Sequence, residues 1–124
     1  MNVVDSSGWL EYFADGPNAG FFAPAIEDVS ELVVPTISIY EVFKKVLQQR
    51  GEDDAWQAIV LMQQCLVMDL DTSTALSSAR IAVELKLPMA DSIMLATARA
   101  HNAILWTQDS DFRSIEGVRY VDKK

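Results

Sequence analysis

The first ten residues constrain the fold more than any other stretch of the chain. Residues 2–10 read Asn-Val-Val-Asp-Ser-Ser-Gly-Trp-Leu, so a short apolar run with two β-branched valines ends abruptly in a carboxylate. Ser6 or Ser7 can cap a helix whose apolar face begins at Trp9. This order predicts a buried parallel strand that leads into a helix. Asp5 then lies at the carboxyl end of a central strand, where open α/β sheets bind ligands, and is either a helix cap or a metal ligand.

Composition favours a single compact domain. The 124 residues are 50% hydrophobic, which is enough for a well-packed core, and we expect one domain over residues 1–124. No apolar run is long enough to span a bilayer and no secretory signal is evident, so we expect a cytoplasmic protein. Cys65 is the only cysteine and His101 the only histidine, which excludes an internal disulfide and a multi-histidine or Cys/His metal site.

The chain is strongly acidic. Its formal net charge of −8 and its pI near 4.4 argue against general binding of nucleic acid by a basic face. That argument weakens if acidic residues converge on metal ions, because two divalent cations would halve the formal charge and change the local field. Such a protein could cut RNA while binding it weakly.

The pattern of apolar residues predicts alternating strands and helices. Strands are expected near residues 3–4, 32–34, 66–68, 103–106 and 118–121, and helices over about 9–13, 17–29, 36–50, 52–62, 73–86 and from 88 onward. The third helix would start at a Thr36 or Ser38 cap, and its apolar residues include Tyr40. The aromatic residues of the first two helices form either ordinary core or an apolar groove for a partner. The last three residues are expected to fray.

Four acidic residues occur where predicted strands end or predicted helices begin: Asp5, Glu41, Asp91 and Asp109. Glu41 alone is explained as an exposed acid that pairs with a lysine one helical turn away. Asp91 alone is explained by the first turn of a helix, where the dipole favours an anion. Each acid therefore has a structural explanation when it is considered separately.

Together, the four positions predict a metal site. In a parallel sheet with right-handed crossovers they share one edge. Clustered carboxylates repel and raise one another's pKa unless a hard divalent cation such as Mg²⁺ relieves the repulsion. Asp69 and Asp71 form another acidic pair, but Asp71 or Thr72 fits better as the cap of the next helix, so we reject this pair as a site.

Four segments of the chain carry a family resemblance. They are Val4-Asp5-Ser6-Ser7 with Trp9-Leu10, Ser38-Ile39-Tyr40-Glu41-Val42, Ala90-Asp91-Ser92-Ile93-Met94-Leu95-Ala96-Thr97-Ala98, and Thr107-Gln108-Asp109-Ser110-Asp111-Phe112. In order and spacing they resemble the four motifs of PIN-domain ribonucleases, and most closely the VapC-type toxins of bacterial toxin–antitoxin pairs. The resemblance extends from Val3 to about Val121. It implies a three-layer α/β/α fold with a mostly parallel central sheet, endonucleolytic cleavage of RNA, frequent homodimers, and an antitoxin protein that blocks the site.

The resemblance also implies roles for the acids. Asp5 and Asp91 would hold the principal Mg²⁺ or Mn²⁺, and Glu41 would complete the cluster directly or through water. Asp109 and Asp111 would hold a second ion or orient the attacking water. This set suits phosphodiester hydrolysis, in which divalent cations activate water and relieve charge on the leaving oxygen.

Two further groups of residues adjoin the motifs. Four hydroxyls either orient the carboxylates or simply cap helices, namely those of Ser6, Ser38, Ser92 and Thr107. Three basic residues are either phosphate contacts or solvated surface charges, namely Lys44, Lys45 and Arg99.

Two other functions compete with the nuclease. An aspartyl-phosphate-type Mg²⁺ phosphatase would use Asp5 as a nucleophile, but that class usually carries a second acid two positions later, where this chain has Ser7. A non-catalytic PIN-like module would bind RNA or a protein without cutting it, but such a module has no need of a repulsive acidic cluster.

Overall fold

The computed structural model describes residues 1–124, which alternate between short strands and helices. The strands are β1 (Asn2–Val4), β2 (Val33–Pro35), β3 (Leu66–Met68), β4 (Ile104–Thr107) and β5 (Val118–Tyr120). The helices are α1 (Ser6–Phe13), α2 (Ala19–Glu27), α3 (Thr36–Arg50), α4 (Glu52–Met62), α5 (Thr72–Leu85) and α6 (Met89–Ala100), with 3-10 turns at Val29–Glu31 and Ser110–Phe112. All the predicted strands and helices are present, although α2 ends two residues earlier than expected.

The strands form a parallel arrangement with β1 at its centre. β1 pairs with β4 and β4 with β5, while β2 pairs with β3, all in parallel. A single parallel bridge between Asn2 and Leu32 connects the two groups, so the strand order is β3-β2-β1-β4-β5. The chain adds strands on one side of β1 and then crosses to the other side at β4. The carboxyl ends of β1 and β4 therefore border the topological switch point, where open α/β sheets bind their ligands.

Alternating side chains on the strands supply two separate cores, one on each face of the sheet. Val4 and Trp106 belong to the core beneath α1, α2, α3 and α4. Val3 and Leu105, their chain neighbours, belong to the core beneath α5 and α6. This period-2 alternation places helices on both faces and confirms the expected three-layer α/β/α architecture.

Aromatic residues near the N-terminus belong mainly to the first of these cores. Trp9 and Phe22 are fully buried, and Phe13 and Phe21 pack against them partly exposed. Gly8 allows α1 to approach this closely, because a Cβ there would lie 2.6 Å from Phe22 and 2.7 Å from Val4. No helix combines the length and the apolar character needed to cross a bilayer.

Several predicted helix caps are wrong. Asp5 precedes α1 and Pro35 precedes α3, and neither helix has a side-chain cap, so none of the serines or threonines proposed for these starts acts as one. Asp71 does cap α5, where its carboxylate accepts a 2.8 Å hydrogen bond from the Thr74 backbone N–H. Asp122, the first of the three residues expected to fray, forms an exposed ion pair in which Arg113 donates a 2.7 Å hydrogen bond to its carboxylate.

Candidate active site

A cleft of about 460 Å³ opens at the carboxyl ends of β1 and β4, between these strands and helices α3 and α6. Four predicted acids line it: Asp5, Glu41, Asp91 and Asp109. They come from four different parts of the chain, and the parallel topology brings them to one edge of the sheet.

Asp5 lies at the floor of the cleft and is only 4% exposed. The hydroxyls of Thr107 and Ser7 donate hydrogen bonds of 2.8 and 3.2 Å to the same oxygen, Oδ2. Both bonds fall on Oδ2, so Oδ1 has no side-chain donor. Burial raises the pKa of Asp5, the two hydroxyls oppose that rise, and the charge of Asp109 adds to it. Of the two interpretations of Asp5, the helix cap is wrong, since its side chain makes no capping hydrogen bond.

Glu41 lies in α3 and faces the start of α1. The Ser6 hydroxyl donates a 2.8 Å hydrogen bond to Oε1 of Glu41 across 35 residues of sequence. Neither Lys44 nor Lys45 forms an ion pair with Glu41. The two ion pairs of the chain join the N-terminal ammonium to Glu31 and Arg113 to Asp122. The interpretation of Glu41 as one half of a helical ion pair is therefore wrong.

Asp91, Asp109 and Asp111 form the tightest group of carboxylates. Each offers one oxygen, and the three oxygens lie within 4.8 Å of one another. The backbone N–H of Asp111 donates a 3.0 Å hydrogen bond to Oδ1 of Asp109, and the N–H of Asp109 donates a 2.9 Å bond to Thr107 Oγ1. Thr107 thus connects this group to Asp5.

Asp91 shows the electrostatic consequence of this crowding. Burial, followed by the charges of the four other carboxylates, raises its pKa from 3.8 to about 7. Those four charges belong to Asp5, Asp109, Asp111 and Glu41. No ion pair of the chain involves any of the five acids. Oxygen donors at this spacing, with uncompensated negative charge, fit a hard divalent cation such as Mg²⁺ or Mn²⁺.

The four predicted hydroxyls divide into two groups. Ser6 and Thr107 bond to carboxylates of the cleft. Ser92 instead donates a 2.8 Å bond to the Met89 carbonyl within its own helix, and the buried Ser38 hydroxyl has no partner. The bond of Ser7 to Asp5 was not predicted, because a serine at this position also fits a helix cap.

Basic residues lie on one side of the cleft only. Lys44 and Lys45 line it, together with Gln48 and Tyr40, which were not predicted. Arg99 does not line it, because it lies in the last turn of α6 whereas Asp91 lies in the first. Eight residues of helix separate the two by about 12 Å along the axis. Arg99 is therefore not placed among the phosphate contacts.

The three-layer fold and the acid-lined cleft define the class of this protein. The sequence profile of the PIN domain matches residues 3–118. The chain belongs to the PIN-domain family.

Several solved structures with similar folds are described as toxins or as toxin–antitoxin complexes. A toxin–antitoxin complex from Klebsiella pneumoniae is similar with a TM-score of 0.81 at 23% identity, covering 96% of each chain. A Mycobacterium tuberculosis VapC toxin described as cleaving the sarcin–ricin loop gives 0.77 at 14% identity, over 94% of this chain and 95% of that one. A promoter-bound VapBC complex from Rickettsia felis gives 0.73 at 13% identity, over 98% and 97%. No curated protein matches the chain in sequence.

Proposed function

We propose that the protein is a metal-dependent endoribonuclease and the toxin of a toxin–antitoxin pair. The observation that carries the proposal is that Asp5, Glu41, Asp91 and Asp109 converge on one cleft. None of these four carboxylates forms an ion pair with a basic group of the protein. Membership of the PIN-domain family supports nuclease chemistry, and the fold shared with a toxin–antitoxin complex and with a sarcin–ricin-loop-cleaving toxin supports the biological role.

The carboxylates would divide the work of binding metal. Asp5 and Asp91 would hold the principal Mg²⁺ or Mn²⁺, with Glu41 completing the set directly or through water, and Asp109 and Asp111 would serve a second ion or the attacking water. A cation held there would supply Lewis-acid activation of water and would neutralise charge on the phosphodiester.

The other residues of the cleft would orient these groups and the substrate. Thr107 donates to Oδ2 of Asp5 and Ser6 donates to Oε1 of Glu41, and these two bonds would hold the carboxylates in position for a metal ion. Lys44 and Lys45 line the same cleft as these acids, and their ammonium groups would meet a phosphate of the bound strand there.

We also propose that the protein acts in the cytoplasm, as a homodimer, under the control of an antitoxin protein. The toxin–antitoxin assemblies among the similar structures support the antitoxin. Exposed apolar side chains on α5, such as Leu76 at 64% and Val83 at 80% exposure, are consistent with a further protein contact. Light scattering of the purified chain, alone and with the product of an adjacent small gene, measures both associations.

The test is RNA cleavage by purified protein freed of any partner. We expect endonucleolytic products with Mg²⁺ or Mn²⁺, no products with EDTA, and recovery when the metal is restored. Asp91→Asn should abolish cleavage, whereas Asp69→Asn, which alters an exposed acid outside the cleft, should leave it unchanged. Cleavage that persists in EDTA or in Asp91→Asn would contradict the proposal.

A further inference from the structure

Two buried amide side chains meet beside the loop that carries Asp109. Asn18, which precedes α2, is 2% exposed, and Gln108, which directly follows β4, is 4% exposed. Asn18 Nδ2 donates a 2.9 Å hydrogen bond to Gln108 Oε1, although the two residues are 90 positions apart in the sequence. Neither residue lines the acidic cleft. This amide pair therefore does not contact a ligand of the cleft directly.

The amide pair joins distant segments of the chain. Asn18 Nδ2 also donates a 3.0 Å bond to the carbonyl of Asp122, which lies beyond β5. Gln108 Nε2 donates a 3.4 Å bond to the carbonyl of Ser7 in α1. Asn18 is held in turn by its own backbone N–H, which donates a 2.7 Å bond to Oε2 of Glu11. The start of α1, the turn before α2, the end of β4 and the C-terminal segment are thus connected through two side chains.

Gln108 lies between two residues that shape the cleft. Thr107 bonds to Asp5 and accepts the backbone N–H of Asp109. Asp109 is only partly buried and Asp111 is exposed, and neither forms an ion pair. Hydrogen bonds around Thr107 and Gln108 therefore carry much of the task of holding this acidic loop in place.

The loop needs such support because of its charge. Oxygens of Asp91, Asp109 and Asp111 lie within 4.8 Å of one another, and like charges at this spacing repel. A partly exposed loop would relieve the repulsion by moving its carboxylates apart unless its backbone were held. A buried polar network in which every group is hydrogen-bonded specifies a single arrangement, and the amide pair supplies one directly beside Asp109.

We propose that Asn18 and Gln108 are positioning residues for the metal site. Their amide pair holds the peptide that carries Asp109, and it thereby keeps the oxygens of Asp91, Asp109 and Asp111 close enough to share one cation. This inference rests on the proposed metal-dependent function, and it assigns a role in that function to two residues outside the cleft.

The first test uses metal-free protein, so that it does not depend on catalysis. Gln108→Met keeps the length of the side chain and removes its amide. Combining it with Asn18→Leu leaves no amide of the pair buried without its partner, so the double variant should fold even if the single variant does not. By NMR, we expect the backbone N–H groups of Asp109 and Asp111 to lose protection against hydrogen exchange in the double variant, while those of β1 keep theirs.

The second test follows Mn²⁺ binding by electron paramagnetic resonance. The double variant retains every carboxylate of the cleft, so its affinity for Mn²⁺ should fall about tenfold rather than vanish. Cleavage of RNA should return at saturating Mn²⁺, with an unchanged KM for RNA. A variant that had merely lost part of its fold would show the same fractional loss of activity at every concentration of metal.

Asn2→Ala is the matched control. Asn2 Oδ1 accepts a 2.8 Å hydrogen bond from Trp106 Nε1, which again joins side chains far apart in the sequence. Asn2 lies at the amino end of β1, however, and does not line the cleft. This variant should leave unchanged both the exchange of the Asp109 and Asp111 amides and the affinity for Mn²⁺.

The outcomes separate this inference from the function on which it rests. Unchanged hydrogen exchange at Asp109 and Asp111 in the double variant, or wild-type affinity for Mn²⁺, would overturn the positioning role alone. A loss of the same size in Asn2→Ala would overturn it as well. Wild-type protein that neither binds Mn²⁺ nor cleaves RNA would overturn the proposed function, and the inference with it.

Discussion

Thr107 Oγ1 donates a 2.8 Å hydrogen bond to Oδ2 of Asp5, although the two residues are 102 positions apart in the sequence. They lie at the ends of β4 and β1, on either side of the switch point of the sheet. The same Thr107 oxygen accepts the backbone N–H of Asp109. One buried hydroxyl thus sets the relative positions of two acids of the cleft.

Thr107 should therefore be a positioning residue. Thr107→Val keeps the shape of the side chain but removes the bond to Asp5, and we expect a loss of about 10- to 100-fold in metal affinity and activity. Thr107→Ser should restore most of both. Ser92→Ala is the matched control, because that hydroxyl bonds only within its own helix. Titrations with Mn²⁺ check the prediction, and equal losses in Thr107→Val and Ser92→Ala would contradict it.

Asp5→Asn should move activity and stability in opposite directions. Burial raises the pKa of Asp5, which means that the folded protein disfavours its charge. Asparagine keeps an oxygen to accept from Thr107 and removes that charge, so the metal-free variant should melt at the same or a higher temperature while cleavage is lost. Thermal melting in EDTA and an RNA cleavage assay test the pair of results. An Asp5→Asn protein that is both less stable and inactive would show that Asp5 also supports the fold, which would contradict this prediction.

Asp91 should make the metal-free protein less stable as the pH rises. Its pKa is about 7 in the folded protein, against an ordinary value of 3.8, so the folded state holds this proton more tightly than the unfolded state does. The resulting stabilisation is complete below about pH 4 and is lost as the pH rises through 7. In EDTA, the melting temperature of the wild type should fall more between pH 5 and pH 8 than that of Asp91→Asn. Parallel curves would show that Asp91 does not titrate in this window.

Gly8 should be intolerant of a side chain. A Cβ there would lie 2.6 Å from the Phe22 ring and 2.7 Å from Val4, both of which are fully buried. We expect Gly8→Ala to lower the free energy of unfolding by about 1–3 kcal/mol through overpacking. Gly20→Ala is the control, since nothing lies within 4 Å of its Cβ position in α2, and it should stabilise by about 0.5–1 kcal/mol. Urea denaturation of the two variants decides between these expectations.

The features that sequence predicted well depend on local pattern. Short apolar runs located the strands, and parallel topology then required Asp5 and Asp109, which follow two of them, to meet at one edge. Alternation along β1 also follows from local pattern, since Val3 and Val4 must face opposite sides of the sheet.

The features that sequence could not predict depend on contacts between distant residues. A serine after a strand fits a helix cap and a carboxylate ligand equally well, and only the packing of α1 against α3 brings Ser6 to Glu41. Arg99 shares helix α6 with Asp91 but lies at the other end of that helix. Tyr40 was assigned to an apolar helix face, and its exposure follows from where the cleft opens.

Direct measurement of Mn²⁺ binding by electron paramagnetic resonance tests the central claim, that these separate carboxylates form one cation site. The signal of free aqueous Mn²⁺ should fall on addition of the wild-type protein, with saturable binding that Asp69→Asn retains and that Asp5→Asn and Asp91→Asn each weaken strongly. Wild-type protein that leaves the free Mn²⁺ signal unchanged, or binding that persists undiminished in both cleft variants, would contradict the account.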